Sequence, residues 1–282
     1  RVWRRGVMTG LNAGPEMCVS VLLLVGELLV LGLRNEPRVL LFADEPRGWT
    51  ARGGFAVETG PGRILSMEAA RGAGVAALAC EVKGRYGALG IDLALLAAGL
   101  TPARALLQPF GISAEDGTAL DVAGSRAVVI NDKGAVRVLS LSGRPRALVA
   151  CQVSSARCVA VHPGGLRVAV GCTDGLRFMA VGEDMLREVR WVAQTGVGAA
   201  RFSLRGDLLA AAAGAAVLIF DAYSCAVLRR LPGSGGALER LLWRGRDAWL
   251  LSCCAAGTVA GWDAGQWERR FLLSASERRV PT

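Results

Sequence analysis

Residues 158–170 have the sequence CVAVHPGGLRVAV, and DGLRFM follows at residues 174–179. These short apolar runs are bounded by Gly, Pro and Asp, which favours β-strands over helices. The same order returns in ARFSLRGDLLA at residues 200–210, where Gly206 takes the place that Gly165 has in the first copy. Each unit is therefore predicted to contain a strand, a tight turn, a second strand, a glycine turn, a third strand and a fourth segment.

The second glycine turn of the unit repeats with the same period. Gly134 and Gly175 are separated by the same interval as Gly165 and Gly206. Gly257 follows Gly175 by two further periods, and Gly214 begins the copy between these two. A looser copy of the first two strands occupies residues 240–252. Four short strands in about 40 to 45 residues are typical of a β-propeller blade. A β-sandwich would not demand a period held over three units, so the sequence predicts an all-β propeller with four-stranded blades.

The predicted propeller region covers residues 1–282 and contains about six to seven units of this length. It is either part of one propeller or the junction between two. The clearest blades are predicted at residues 113–157, 158–199, 200–238 and 239–282.

The first half of the chain follows the pattern less regularly. Residues 19–25 and 28–33 are predicted to form a hairpin across Gly26-Glu27, and a strand is expected at residues 38–42.

Two further pairs of segments are expected in this half. One unit should join residues 54–57 to residues 63–67 across a glycine turn. Beyond it, strands are expected at residues 75–81 and 90–100, separated by a turn at residues 84–87.

Composition restricts the classes of protein that fit the chain. The 282 residues are 52% hydrophobic, with a mean hydropathy of +0.38. A membrane-spanning helix needs about 20 apolar residues, whereas charge-free runs such as residues 208–220 fall short of that length. A chain this apolar can bury enough surface to offset its ordering entropy, which excludes intrinsic disorder. Blades buried on both sheet faces would explain the hydropathy without a membrane.

The charge of the chain indicates partners only broadly. The chain has 33 Lys plus Arg against 24 Asp plus Glu, a net charge of +9, and Lys83 and Lys133 are its only lysines. This charge fits nucleic acid, a lipid surface or the acidic face of a microtubule, but the codon usage of a GC-rich genome would give the same total. The pairs Arg229-Arg230, Arg269-Arg270 and Arg278-Arg279 do not form a known nucleic-acid motif, so an acidic protein partner is favoured.

The cysteines and the single histidine argue against a metal site. None of the eight cysteines has C-x-x-C spacing, and only His162 is available to complete a zinc site. Most cysteines lie in apolar runs, where free Cys behaves as a small buried hydrophobe, and this usage indicates a reducing, intracellular compartment. The pair Cys253-Cys254 is assigned to a buried strand rather than to redox chemistry. No metal or cofactor residue is predicted.

Motifs that resemble catalytic sites are interpreted as turns and solvated loops. His162 precedes a proline in a turn between strands, where a structural role is favoured over a hydrolytic one. The glycine strings at residues 60–62 and 196–198 lack the lysine and the strand-to-helix setting of a phosphate-binding loop. Adjacent carboxylates on an extended chain point apart, so Glu183-Asp184 and Glu115-Asp116 do not make a general acid and base pair. No catalytic residue is predicted.

The ends of two predicted third strands carry a family signature. Phe220-Asp221 and Trp262-Asp263, which lie about one period apart, resemble the Trp-Asp dipeptide of WD-repeat proteins. The Gly-His dipeptide that usually opens each repeat is absent, because His162 is the only histidine. The resemblance to the WD-repeat family therefore rests on the period and on the order of strands.

A closer resemblance lies in residues 162–187. This run is similar to the repeat of WD-repeat proteins of motile cilia and flagella of the inner-dynein-arm adaptor type, and the resemblance extends over residues 54–67 and 130–263. The motifs that carry it are HPGG at 162–165, VAVG at 168–171, DGLRFM at 174–179 and EDMLR at 183–187.

This resemblance implies a non-enzymatic scaffold in the axoneme of the cilium or flagellum that docks or regulates inner dynein arms on doublet microtubules. Its implied partners are inner-arm dynein components and tubulin, without nucleic acid, membrane or cofactor. Propellers of that family precede long coiled coils. Because no heptad pattern is present and the chain begins with Arg1, a fragment is expected. A general cytoplasmic WD-repeat adaptor outside cilia and an enzyme propeller are the alternatives.

Overall fold

The computed structural model contains, in the part of the chain that it describes, six four-stranded antiparallel sheets and one two-stranded sheet. Strands follow chain order within every sheet. The described residues are 2–4, 7–9, 19–25, 28–33, 35–36, 38–45, 48–56, 62–69, 75–83, 85–92, 108–109, 119–123, 126–130, 134–140, 146–194, 196–233 and 235–274.

The first half of the chain contributes the two-stranded sheet and two of the four-stranded sheets. The two-stranded sheet contains β1 (Val2–Arg4) and β2 (Val7–Thr9). Sheet 1 contains β3 (Val19–Val25), β4 (Leu28–Leu33), β5 (Arg38–Glu45) and β6 (Gly48–Ala56). Sheet 2 contains β7 (Gly62–Ala69), β8 (Val75–Val82), β9 (Arg85–Asp92) and β10 (Gln108–Pro109).

The second half contributes four sheets at regular intervals. Sheet 3 contains β11 (Ala119–Ala123), β12 (Arg126–Ile130), β13 (Ala135–Ser140) and β14 (Arg146–Gln152). Sheet 4 contains β15 (Ala156–Val161), β16 (Arg167–Cys172), β17 (Gly175–Val181) and β18 (Leu186–Ala193). Sheet 5 contains β19 (Val197–Phe202), β20 (Leu208–Ala213), β21 (Ala216–Asp221) and β22 (Val227–Pro232). Sheet 6 contains β23 (Leu238–Arg244), β24 (Trp249–Cys254), β25 (Val259–Asp263) and β26 (Arg269–Leu273).

The sheets are arranged radially. The first strand of each sheet lies against the first strand of the next, from β3 through β7, β11, β15 and β19 to β23. The fourth strands β18, β22 and β26 are almost entirely exposed. First strands are therefore innermost and fourth strands outermost, which is the arrangement of propeller blades. The predicted all-β propeller with four-stranded blades is confirmed.

Backbone irregularities show the repeat independently of the glycines. The pairing of the first and second strands shifts register at Ala156 in sheet 4, at Val197 in sheet 5 and at Leu238 in sheet 6. These three positions are spaced by the same repeat period as the glycine turns. A second shift, between the third and fourth strands, recurs in sheets 3 to 6. Because bulges bend and twist a strand at defined positions, each sheet repeats the same local geometry.

Apolar clusters fill the spaces between neighbouring sheets. Sheets 4 and 5 share a buried cluster in which Phe178 and Phe220 meet edge to face at 5.6 Å. Sheets 5 and 6 share another, built around Ile219, Trp243 and Trp262. Sheet 5 is thus buried on both faces, which explains the near-continuous apolar runs and the high mean hydropathy. No helix in the described ranges is long and apolar enough to cross a membrane.

Several predicted strand positions are confirmed. The hairpin of residues 19–25 and 28–33 is the β3–β4 pair, and β5 covers the strand expected at residues 38–42. Phe220-Asp221 and Trp262-Asp263 end β21 and β25, which are third strands.

Two predictions in the first half of the chain are wrong. Residues 54–57 and 63–67 were expected in one unit, but β6 pairs with β5 whereas β7 pairs with β8. A glycine turn between two sheets looks the same in sequence as a turn within one sheet. The turn expected at residues 84–87 is shorter, because Val82 pairs with Arg85 and β9 ends at Asp92. Residues 93–100, expected as part of that strand, lie outside the described residues.

Candidate functional site

The innermost strands bring together an ion cluster, defined here as Glu68, Asp121 and Arg201. Arg201 on β19 donates one guanidinium hydrogen bond to Asp121 on β11 and a second, of 2.9 Å, to Glu68 Oε1 on β7. The other carboxylate oxygen of Asp121 accepts the backbone N–H of Val161 on β15 at 2.8 Å. Trp243 Nε1 on β23 donates to the carbonyl of Arg201 at 3.0 Å. The inner-strand ion cluster and its neighbours therefore connect sheets 2 to 6.

The electrostatics of this cluster are dominated by burial. Burial raises the pKa of Asp121 to about 6; the charge of Arg201 opposes this rise, and the charge of Glu68 adds to it. In turn, the negative charge of Asp121 raises the pKa of Arg201 above its usual range. Both groups are charged at neutral pH and their hydrogen-bonding atoms face each other, so the cluster joins blades as a structural ion pair.

A second network runs along one end of the sheets. We call this end the lower face; it contains the turns joining first to second strands and third to fourth strands. Arg126 Nη1 of sheet 3 donates to the carbonyl of Gly165 in sheet 4 at 2.6 Å. Asp247 in sheet 6 accepts the N–H groups of Leu204 at 2.7 Å and Arg205 at 2.9 Å from sheet 5. The turn at Gly165 and the turn at Leu204 and Arg205 are thereby each positioned by a neighbouring sheet.

His162 supplies the corresponding link between sheets 4 and 5. Its Nδ1 accepts the N–H of Gly164 at 2.9 Å, so Nε2 carries the hydrogen and donates to the carbonyl of Gly206 at 3.0 Å. Burial lowers the pKa of His162, which keeps the ring neutral at pH 7. Gly206 has φ +81°, and a Cβ there would lie 2.7 Å from Cε1 of the His162 ring. The turn predicted for His162 is confirmed, and both ring nitrogens serve the packing of two blades.

The two aspartates of the family signature shape lower-face turns. Asp221 Oδ1 accepts the N–H of Ser224 at 2.7 Å and the N–H of Tyr223 at 3.1 Å. Asp263 Oδ1 accepts the N–H groups of Gly265 and Gln266 at 2.9 and 3.0 Å. Backbone hydrogen bonds, from Ser224 and from Gln266 respectively, lower the pKa of each carboxyl. These are Asx-type turns, which hold the third-to-fourth-strand loops in one conformation.

Apolar side chains project from these fixed turns. The lower-face patch, as we define it, consists of Leu166, Met185, Leu204 and Tyr223, all exposed. Leu166 lies beside the Met185 turn, since its carbonyl accepts the N–H of Val181 at 2.9 Å. The guanidinium of Arg167 lies 5.2 Å from the centroid of the Tyr223 ring. Exposed apolar side chains on a rigid, hydrogen-bonded surface are typical of a protein-interaction site.

The other residues considered in the sequence take structural positions. Glu183 and Asp184 are exposed in the loop before Met185, as expected for solvated charge, whereas Glu115-Asp116 lies outside the described residues. Cys254 is buried in β24 and Cys253 is half-buried. Gly196 is in a turn with φ +69°, but residues 197 and 198 begin β19 rather than extending that turn.

The basic pairs and possible metal ligands are also located. Arg229-Arg230 lies in β22 and Arg269-Arg270 in β26, while Arg278-Arg279 falls outside the described ranges. The described side chains include no group of three or more His, Cys, Asp or Glu that could hold a metal ion.

The sequence reasoning missed the inner-strand ion cluster and Asp247. Asp121, Val161 and Arg201 recur at a constant interval close to the repeat period, so they occupy equivalent levels of successive first strands. A polar residue at this level of an apolar strand is a recognisable departure from the repeat. The partner of Asp247 could not be predicted from residue spacing, because its carboxylate accepts a hydrogen bond from the backbone of another blade.

Radial four-stranded blades whose third-strand turns are closed by aspartates define a β-propeller fold. The chain is 32% identical over 127 residues to cilia- and flagella-associated protein 57 of Mus musculus. That match covers 44% of this chain and 10% of the mouse protein, so it spans about a tenth of the relative's length.

Solved structures show the same fold. The chain is similar to Chaetomium thermophilum Sqt1, whose crystal structure was determined bound to the N-terminus of the ribosomal protein L10. The TM-score is 0.66 at 17% sequence identity, covering 91% of this chain and 74% of that chain. No protein-family model matches the chain. Neither similar protein indicates an enzyme family.

Proposed function

We propose that the protein is a non-enzymatic scaffold of the ciliary axoneme that docks or regulates inner dynein arms on doublet microtubules. The observation that carries this proposal is the 32% identity with the mouse cilia- and flagella-associated protein over 127 residues. The HPGG and EDMLR motifs add support, because they build the turns around Leu166 and Met185 on the lower face.

The proposed mechanism is rigid placement of a binding surface. Hydrogen bonds between blades hold the lower-face turns, so a partner binds the lower-face patch without first ordering it. Pre-organisation of this kind reduces the conformational entropy lost on binding. Inner-arm dynein components are the proposed partners of the patch, and acidic tubulin is a further partner favoured by the net charge of +9.

The test is capture of dynein from axonemes. The tagged chain is incubated with salt extracts of motile cilia, and bound inner-arm and outer-arm dynein heavy chains are quantified by mass spectrometry. We expect enrichment of inner-arm chains. The double variant Leu166→Ser and Met185→Ser should lower this enrichment, because it removes most of the apolar area of the sheet 4 turns.

The control changes an exposed apolar residue outside both the lower-face patch and the outer strands. Leu242 lies on the first strand β23 and is exposed. Leu242→Ser should leave dynein capture unchanged. Capture of outer and inner arms alike, or the same loss in Leu242→Ser as in the double variant, would contradict docking through the lower-face patch.

A second candidate is a general WD-repeat adaptor outside cilia. It is favoured by the similarity of the fold to Sqt1, a propeller crystallised with the N-terminus of a ribosomal protein. In that case the tagged chain should retain soluble cytoplasmic proteins, and ciliary extracts should provide no enriched dynein.

A further inference from the structure

The outermost strands of three neighbouring sheets share a basic composition. Strands β18, β22 and β26 each carry two exposed arginines, whereas the sequences of β6 and β14 contain one arginine each and that of β10 contains none. The second arginine of each pair recurs at a constant interval close to the repeat period. We call the six the outer-strand arginines: Arg187, Arg190, Arg229, Arg230, Arg269 and Arg270.

Among the described residues, only one of these guanidinium groups has an acidic partner. Arg270 pairs with Glu268 at 3.1 Å and with Asp263 at 3.6 Å. For the other five, no carboxylate of the described residues lies within ion-pair distance. Arg190 Nη1 donates instead to the carbonyl of Ser224 at 3.3 Å, and Arg229 Nη1 to the adjacent carbonyl of Leu228 at 3.0 Å. Because these five charges face solvent, they are available to an external anion.

The contact between Arg190 and Ser224 joins the outer parts of sheets 4 and 5. Arg190 lies on β18 in sheet 4, and Ser224 lies in the turn before β22 in sheet 5. The arginines of β18 and β22 therefore lie on one lateral surface, and β26 carries the same pair on the outer strand of sheet 6.

Exposed apolar side chains lie on the same strands as these charges. Val189 and Trp191 on β18, Val227 and Leu228 on β22 and Leu272 on β26 are all exposed. Each of these strands pairs on one side only within the described sheets, so its outer backbone edge remains open to another strand. An extended peptide can pair with such an edge, while pockets beside it select its side chains.

We propose that the outer strands of sheets 4 to 6 dock an acidic polypeptide segment that also carries apolar residues. The charges favour an anionic ligand, and the exposed apolar side chains between them favour a polypeptide over a phosphate backbone, which would leave them uncovered. This inference rests on the proposed role as a protein-interaction scaffold, but it concerns a lateral surface separate from the lower-face patch.

The test measures peptide binding to the full chain. A fluorescent peptide of Glu-Glu-Leu repeats is titrated by anisotropy at low and physiological ionic strength. We expect binding that weakens as salt rises, with little binding of a Gln-Gln-Leu peptide. Arg229→Glu with Arg230→Glu should weaken binding about tenfold or more, as charge reversal at a docking surface does. Arg187→Glu with Arg190→Glu provides an independent second variant on the neighbouring sheet.

The control has the same change of net charge at another exposed site. Arg205→Glu with Arg244→Glu alters two arginines away from the outer strands and should change affinity by no more than about twofold. Equal losses in the control and outer-strand variants would overturn the proposal, as would absence of peptide binding. Tighter binding of duplex DNA, lost in the same outer-strand variants, would assign the surface to nucleic acid instead. If peptide binding fails while inner-arm dynein capture persists, only the lateral surface is refuted.

Discussion

Replacing Arg201 with Met removes the cation that connects the inner strands of three sheets. The guanidinium of Arg201 bonds to both Asp121 and Glu68, and the Asp121 side chain is only 5% exposed. Without Arg201, two carboxylates face each other, and one of them is buried. Methionine keeps much of the length and packing volume of the side chain, so the loss reports mainly on the charge.

The expected destabilisation is about 3 kcal/mol at pH 7.5, at the lower end of the cost of breaking a buried ion pair. It should stay at the lower end because the side chain of Glu68 is 18% exposed and reaches solvent, and because Asp121 can take up a proton. For a chain of this size, a loss of about 3 kcal/mol corresponds to a fall in Tm of about 6–12 °C. The loss should be smaller at pH 5, where Asp121 is largely protonated.

Urea unfolding followed by circular dichroism measures these differences. The matched control is Arg205→Met, four residues along the chain, whose side chain is 71% exposed and pairs with Asp207 at 3.0 Å. Its loss should not exceed about 1 kcal/mol, as for surface ion pairs. Equal losses of unfolding free energy in Arg201→Met and Arg205→Met would contradict a buried ion pair between Arg201 and Asp121. A loss for Arg201→Met that does not depend on pH would contradict it as well.

Three further predictions concern stability. Burial raises the pKa of Asp121 from 3.8 to about 6, so the stabilisation from its protonated carboxyl is fully present below pH 3.8 and is lost as pH rises through 6. Relative to Asp121→Asn, the free energy of unfolding of the wild type should fall by up to about 3 kcal/mol between pH 4 and 7. A pH-independent difference in urea midpoints would contradict this. Gly171→Ala should cost about 1–3 kcal/mol, because the new Cβ would lie against Cys158 Sγ; an unchanged Tm would argue against this packing. Asp247→Ala should cost about 2 kcal/mol and Asp247→Asn less, because Asn keeps one acceptor and tolerates the φ of 69°; equal losses in urea would count against the turn contact.

The repeat could be predicted from the sequence because every blade has the same local structural requirements. Every sheet needs apolar residues on both faces and glycines or aspartates at its turns, and these residue types recur with the period of one blade. The structure reproduces this period in the register shifts at Ala156, Val197 and Leu238. Strand existence and order in sheets 3 to 6 were therefore available from the sequence.

Strand pairing in the first half of the chain was harder to predict from the sequence. The glycine-rich sequence before β7 resembles a hairpin turn, but β6 and β7 belong to different sheets, because turn residues do not indicate which strand the chain pairs with next. The inner-strand ion cluster is harder still, since Arg201 and Glu68 are 133 residues apart. Only the three-dimensional arrangement of first strands brings these charges together.

The outer-strand arginines were easier to predict from the sequence than the lower-face patch. The basic pairs in β22 and β26 are visible as Arg229-Arg230 and Arg269-Arg270, but their common exposure on neighbouring outer strands requires the fold. The lower-face patch joins residues from four separate turns of sheets 4 and 5. Its members recur at one constant interval, about half the repeat period, but they differ in residue type and in the turn that carries them, so no motif marks the patch.

The proposed role as a WD-repeat scaffold of the axoneme is best tested by locating the protein in multiciliated cells. The tagged chain is imaged together with an axonemal marker, and detergent-extracted axonemes are then assayed for the tag. We expect a detergent-resistant pool of the protein along the axoneme of motile cilia. A protein confined to the cytoplasm, with none retained on extracted axonemes, would contradict it.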